Sequence, residues 1–129
     1  MCSSDLPFAG WNSPATIRND INPNREAEYH LDFSEFLKVV GDGWDGTLFD
    51  PPYSLHQVNQ VYEGHGLRKQ YSLAADLISG KIVHGGHCIS FGWNTNGLGK
   101  SRGFEIKEIL IVAHGGSHND TLVTVEGKL

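Results

Sequence analysis

A chain of 129 residues supplies one domain with a single core rather than two. Its net charge of -5 excludes binding to nucleic acid through bulk positive charge, because that affinity comes from Lys and Arg neutralising phosphates; it does not exclude DNA. The 39% hydrophobic content and sixteen glycines fit a turn-rich α/β protein, no stretch is apolar for long enough to cross a bilayer, and Cys2 and Cys88 are too few for a disulfide framework.

Met1 to Leu6, Met-Cys-Ser-Ser-Asp-Leu, reads as the conceptual translation of a sequencing adapter, in which case the natural N-terminus is missing. No signal-peptide core opens the chain, so a cytoplasmic location is expected by default. Pro7 to Arg25 is rich in Pro, Asn, Gly and Ser without a sustained period, and reads as irregular, with Trp11 and Ile17 as points of attachment. Residues 1–26 are therefore expected to form an arm, and residues 27–129 the folded domain.

Glu28 to Leu31 fits a short strand. Phe33, Phe36, Leu37 and Val40 follow at the spacing of one buried helical face, ended by Gly41-Asp42-Gly43. Asp32 stands where an N-cap belongs, with Glu35 at capping-box spacing, and this explains it structurally without excluding a ligand. The run Gly46 to Phe49 then reads as a buried strand, because Asp50-Pro51-Pro52-Tyr53 must end it: proline cannot donate to a ladder and pushes its predecessor out of the helical region. Asp50 and Tyr53 thus fall at the carboxyl end of a strand, the edge where open α/β sheets bind ligands.

A second helix is expected from Ser54, with Leu55, Val58 and Tyr62 on its apolar stripe, then a polar loop at Gly64 to Lys69. A third, from Ser72 to Ser79, turns Leu73, Ala74, Leu77 and Ile78 inward and stops at Gly80. Gly85-Gly86 reads as a tight turn before a buried strand, His87 to Phe91, in which Cys88 is a buried thiol. The pair Gly97-x-Gly99 is a weak nucleotide-binding signal without the full fingerprint. Arg68, Lys69, Lys100 and Arg102 fall in expected loops, as a small positive rim or as solvated charges. Phe104 to Ala113 is β-rich, its continuous apolar run at Ile109 to Ala113 resembling a central strand. Thr121 to Glu126 alternates around Val123 and Val125, and the short connection between these two strands permits only an antiparallel hairpin.

Tyr-His-Leu-Asp at 29 to 32, Leu-Phe-Asp-Pro-Pro-Tyr-Ser at 48 to 54, Phe-Gly-Trp-Asn at 91 to 94 and His-Gly-Gly-Ser-His-Asn-Asp-Thr at 114 to 121 together resemble a family of small, phage-associated DNA adenine methyltransferases. The resemblance covers most of the chain from Asn22 onward, is weakest between Gly66 and Lys81, and is most distinctive in its last motif. It implies a Rossmann-like class I methyltransferase sheet, partial or reduced, ending in an antiparallel hairpin. Helix, Gly85-Gly86 and apolar strand match that pattern in order, with Val83-His84 in place of its Lys-Pro.

The implied activity is transfer of a methyl group from S-adenosylmethionine to the exocyclic amine of a flipped DNA base, adenine N6 in this family. Asp50, Pro51, Pro52 and Tyr53 would be catalytic, the Asp50 carboxylate and Pro51 carbonyl accepting from the amine while Tyr53 stacks on the base. Asp32, Phe91, Gly92 and Asn94 would contact the cofactor. The partners are DNA and the methyl donor, with no metal and no membrane, and a homo-oligomer is compatible with this reading. The Phe-x-Gly-x-Gly loop that such enzymes carry after a first strand is absent, and the arm before Tyr29 is too short and irregular to supply that strand and its helix. Competing readings are an inactive fragment or nucleic-acid-binding remnant, and a metal-dependent nuclease built on His114, His118 and Asp120 with His84 or His87.

Overall fold

The computed structural model describes residues 4–6, 15–20, 22–24, 26–50, 67–116 and 119–129. Among these residues six strands form one sheet: β1 (Ser4–Leu6), β2 (Ile17–Arg18), β3 (Trp44–Phe49), β4 (Ile82–Gly92), β5 (Phe104–Val112) and β6 (Thr121–Lys128). Their order across the sheet is β2-β1-β3-β4-β6-β5. The first four are mutually parallel, whereas β6 runs antiparallel between β4 and β5. The fold class read from the sequence, a reduced methyltransferase-like sheet ending in an antiparallel hairpin, is the one observed.

Two helices are described, α1 (Phe33–Val39) and α2 (Leu67–Lys81), and they pack against each other. Their apolar faces meet the sheet in one core: Phe36, Leu37 and Val40 from the α1 segment, Ala74, Ala75 and Ile78 from α2, and Trp44, Phe49, Ile82 and Cys88 from the strands. Tyr29 meets Phe36 edge-on at 5.4 Å between ring centroids, and Phe36 lies 6.5 Å from Trp44. Buried Lys81 donates to the Val40 carbonyl (2.8 Å) and Asp42 (3.1 Å), with its ammonium 5.9 Å from the Trp44 ring centre. Lys128 donates to the carbonyls of Ser79 and Ile82, both at 2.7 Å, so two lysines satisfy carbonyls around the C-terminal ends of the two helices.

Several expectations are corrected. Residues 1–26 are not wholly an irregular arm, since β1 and β2 pair into the sheet. Strands of three and two residues carry no readable period, and a ladder uses the backbone whatever the side chains are. The segment read as adapter translation includes the three residues in the slot between β2 and β3. Helix α2 begins at Leu67 and ends at Lys81, so Arg68 and Lys69 are helical rather than in a loop, and Leu73 is 47% exposed rather than inward.

Gly85-Gly86 is not a turn before a strand but a bulge within β4. The ladder passes from Trp44↔Ile82 to Gly46↔His87, two residues of β3 against five of β4. Gly85 takes a φ of +81°, and a side chain at Gly86 would meet the Asp45 carbonyl at 2.9 Å, so both positions need glycine. Finally, β5 is an edge strand, not a central one. Its Ile109, Leu110, Ile111 and Val112 are exposed, Ile111 at 68%. Glu28 to Leu31 forms only a single parallel bridge, Tyr29 to Asn19, and the expected helix from Ser54 and loop at Gly64 to Gly66 lie outside the described residues.

Candidate active site at the carboxyl edge of the sheet

Strands β2, β1, β3 and β4 point one way, so their carboxyl ends share one edge of the sheet. The chain steps from β1 out to β2 and returns to β3 on the other side of β1, which makes the β1/β3 boundary the topological switch point. In open α/β sheets the crevice at that boundary is the ligand position. Asp50 follows the last residue of β3 and is exposed there, one position beyond the paired Phe49 and Ser90. Pro51, Pro52 and Tyr53 lie outside the described residues.

Phe91 and Gly92 end β4 at the same edge, paired with Val123 and Leu122 of β6. Phe91 is half-buried, and among the described residues nothing beyond its chain neighbours comes within 4 Å of a side-chain position at Gly92. Trp93 follows, 44% exposed, and the Asn94 side chain accepts from the Asn96 amide at 3.0 Å, turning the chain. Because β6 runs antiparallel to β4, the connection between β5 and β6 returns to this edge. There the His114 amide donates to Asp120 (3.2 Å), and the His114 ring nitrogen Nε2 lies 2.8 Å from the Thr121 hydroxyl.

Asp32 caps α1, accepting from the amide (3.0 Å) and hydroxyl (2.6 Å) of Ser34, both on Oδ1. The bond goes to Ser34 rather than Glu35, so the cap is real but the capping box is not. Since one carboxylate oxygen carries both bonds, capping and a ligand bond through Oδ2 are compatible. Asp32 follows the segment whose Tyr29 bridges in parallel to Asn19, beside β2. The structure thus brings Asp32, Asp50, Phe91, Gly92 and Asn94 to one edge of the sheet.

The glycine pair at 97 and 99 does not present free amides. The amides of Leu98 and Gly99 donate to the fully buried carboxylate of Glu126, at 2.8 and 2.9 Å. Gly97, at φ +52°, lies against the same carboxylate. A geometry that resembles an anion cradle therefore holds the protein's own Glu126. A glutamate in an alternating strand reads from sequence as solvent-facing, which is why its burial was not anticipated.

The positive rim is also revised. Arg102 donates to Asp76 (2.7 Å) and to the Leu98 carbonyl (3.0 Å), tying the 3-10 turn Lys100–Arg102 to α2. Of the residues named for the nuclease reading, His114 and Asp120 lie together on the connection between β5 and β6, His118 lies outside the described residues, and His84 bonds to the Leu129 carbonyl at the far end of the sheet from His114. Among the described residues no group of three metal-ligating side chains converges. Burial pushes the Cys88 thiol up to about 12, which removes it as a nucleophile at neutral pH.

One further feature belongs to the edge, and another is read from the sequence alone. Asp20 lies two residues beyond the end of β2, the position from which an acidic side chain reaches ribose hydroxyls in dinucleotide-binding folds. Its signal in the sequence is an acidic residue closing a short run that opens on two β-branched residues, Thr16-Ile17-Arg18-Asn19-Asp20, which reads as a strand only once its neighbours are known. Phe8-Ala9-Gly10, next in sequence after β1, keeps the first half of the Phe-x-Gly-x-Gly pattern.

This sheet order, with helices between its parallel strands and a terminal antiparallel hairpin, is the class I methyltransferase fold. No family model and no curated protein matches the chain. Among solved structures it is similar to TrmN from Thermus thermophilus, with a TM-score of 0.62 and 15% identity over 99% of this chain and 44% of that one. It is also similar to the N-methyltransferase NodS from Bradyrhizobium japonicum, in complex with S-adenosyl-L-homocysteine, with a TM-score of 0.61 and 12% identity over 98% and 78%. A second protein of Thermus thermophilus, TTHA0409, described as a putative DNA modification methylase, aligns at a TM-score of 0.50 and 13% identity over 74% and 50%. The chain spans under half of TrmN and about three quarters of NodS.

Proposed function

We propose that this chain is an S-adenosylmethionine-dependent methyltransferase that acts on the exocyclic amine of a flipped DNA base, adenine N6 foremost. The observation that carries the reading is the position of Asp50 at the carboxyl end of β3, beside the switch point, with Asp20 and Asp32 on the neighbouring segments. S-adenosyl-L-homocysteine in NodS and the description of TTHA0409 support the methyl donor and DNA respectively.

The residues at this edge fit the donor's chemistry. Asp20 and Asp32 are acceptors for a ribose diol and an adenine amine, and half-buried Phe91 suits an aromatic ring. The cofactor, when bound, supplies an electrophilic sulfonium methyl. Asp50 accepts hydrogen bonds from the exocyclic amine of the base, together with the Pro51 carbonyl, and so orients the nitrogen lone pair outward. Tyr53 stacks on the base and offsets the stacking lost on extrusion from the duplex. Catalysis on this reading is positioning plus electrostatics, with no covalent intermediate on the protein. On this reading the base's amine is held by Asp50 at the carboxyl end of β3, and Asp20 and Asp32 take the nucleoside of the donor on the β2 side.

The test is transfer of labelled methyl from S-adenosylmethionine to unmethylated DNA, followed by nucleoside analysis. N6-methyladenine is the expected product, and Asp50→Ala should lower the rate by about a hundredfold with cofactor affinity little changed. Label appearing only in N4-methylcytosine moves the target to cytosine. Cofactor binding without any transfer to DNA would sink the DNA assignment.

A further inference from the structure

We propose that Asn19 is a positioning residue that sets the two acidic groups of the cofactor site against each other; the inference rests on the methyl-donor reading above. Asn19 is 1% exposed, so its amide has been removed from water and must be satisfied inside the protein. Its Oδ1 accepts from the Leu31 amide at 3.0 Å, and its Nδ2 donates to the Leu31 carbonyl at 2.9 Å. One side chain thus engages both backbone groups of a residue twelve positions away.

The backbone on either side shows what this does. The Tyr29 amide donates to the Arg18 carbonyl (3.2 Å), and the Asp20 amide donates to the Tyr29 carbonyl (3.1 Å), giving the parallel bridge. The next rung of a regular ladder would bind the Leu31 amide to the Asp20 carbonyl. Here the Asp20 carbonyl accepts instead from His30 Nδ1 at 3.0 Å, and the Asn19 amide takes over Leu31. The side chain acts as a substitute rung beyond the point where main-chain pairing stops.

The consequence lies one residue further on each segment. Asp20 follows Asn19, and Asp32 follows Leu31, so the latch fixes the separation of two carboxylates on adjoining segments that have almost no strand to hold them. Arg18 and Glu28 brace the same two segments from the other end, with Arg18 Nη2 to Glu28 Oε1 at 2.8 Å and the Arg18 amide to Glu28 Oε2 at 2.8 Å. Asn19 itself is buried and acts on the ligand only by holding Asp32 at its distance from Asp20.

The experiment is calorimetric titration of the full chain with S-adenosyl-L-homocysteine for wild type, Asn19→Asp, Asp32→Asn and the double variant, with hydrogen exchange of the Leu31 amide and thermal melting alongside. Asn19→Asp keeps the acceptor for the Leu31 amide but turns an oxygen toward the Leu31 carbonyl. Each single change is expected to weaken binding by about tenfold, and the double variant to be no weaker than the weaker-binding single one, because the latch acts through Asp32. A buried asparagine with a merely structural role would move the melting temperature but would not produce this coupling. Should Asn19→Asp fail to fold, Asn19→Ser runs the same cycle without adding a charge. Additive losses, unchanged affinity in a folded variant, or a Leu31 amide that exchanges freely in wild type would overturn the latch alone. Wild type that does not bind the ligand would overturn the methyl-donor reading beneath it.

Discussion

Thr124 sits in the middle of β6, paired with Ser90 on one side and Ile109 on the other, and is almost wholly buried. Among the described residues its hydroxyl has no hydrogen-bond partner. A buried donor left unsatisfied keeps its desolvation cost, so Thr124→Val, which replaces the hydroxyl by a methyl of similar size, is expected to stabilise the fold by about 1 kcal/mol. In thermal denaturation this is a rise of about 4 °C in the midpoint. The neighbouring Glu126 shows the opposite treatment of a polar group: fully buried, yet with two amides directed at its carboxylate. Neither environment was legible in the sequence, because polar residues in an alternating strand look solvent-facing. The Asp32 cap was legible, since a cap is a local arrangement of adjacent residues.

At the scale of elements, the loop from Trp93 to Gly99 owes its course to Glu126. Gly97→Ala would put a methyl group against the Glu126 carboxylate at a φ of +52°, and should cost about 2 kcal/mol in urea unfolding. Gly41→Ala, where no described residue would meet the added methyl group, is the control and should stay within about 0.5 kcal/mol. Helix α1, β3, the central part of β4, and the hairpin of β5 and β6 were legible because each carries its own period or turn constraint. Strands β1 and β2 were not, being too short to carry one. Strand β5 was read as central because its consecutive apolar residues resemble a strand buried on both faces, whereas it lies at the sheet's end and exposes them. Its position depends on β6 returning between β4 and β5, which no local pattern announces. The carboxyl edge of the sheet was legible from the residues themselves at Asp50, where two prolines fix the end of a strand, whereas Asp32, Phe91, Gly92 and Asn94 were tied to a ligand only through the family resemblance.

For the whole molecule, the reversal of β6 brings the 113–120 connection back to the edge that holds Asp50, Phe91 and Gly92. Among the described residues nothing crowds Gly115 or Gly116, in contrast to Gly86. Lengthening a surface loop costs little, so four Gly/Ser residues inserted between Gly115 and Gly116 should lower stability by no more than about 0.6 kcal/mol in urea unfolding. The same insertion between Gly85 and Gly86 should be far more damaging, because it breaks the bulge that packs on β3. The hairpin tip is therefore a place where length and composition can change while the sheet stays as it is. On the proposed reading, that segment can be exchanged like a fitting, without retuning the part of the chain that holds the reacting amine.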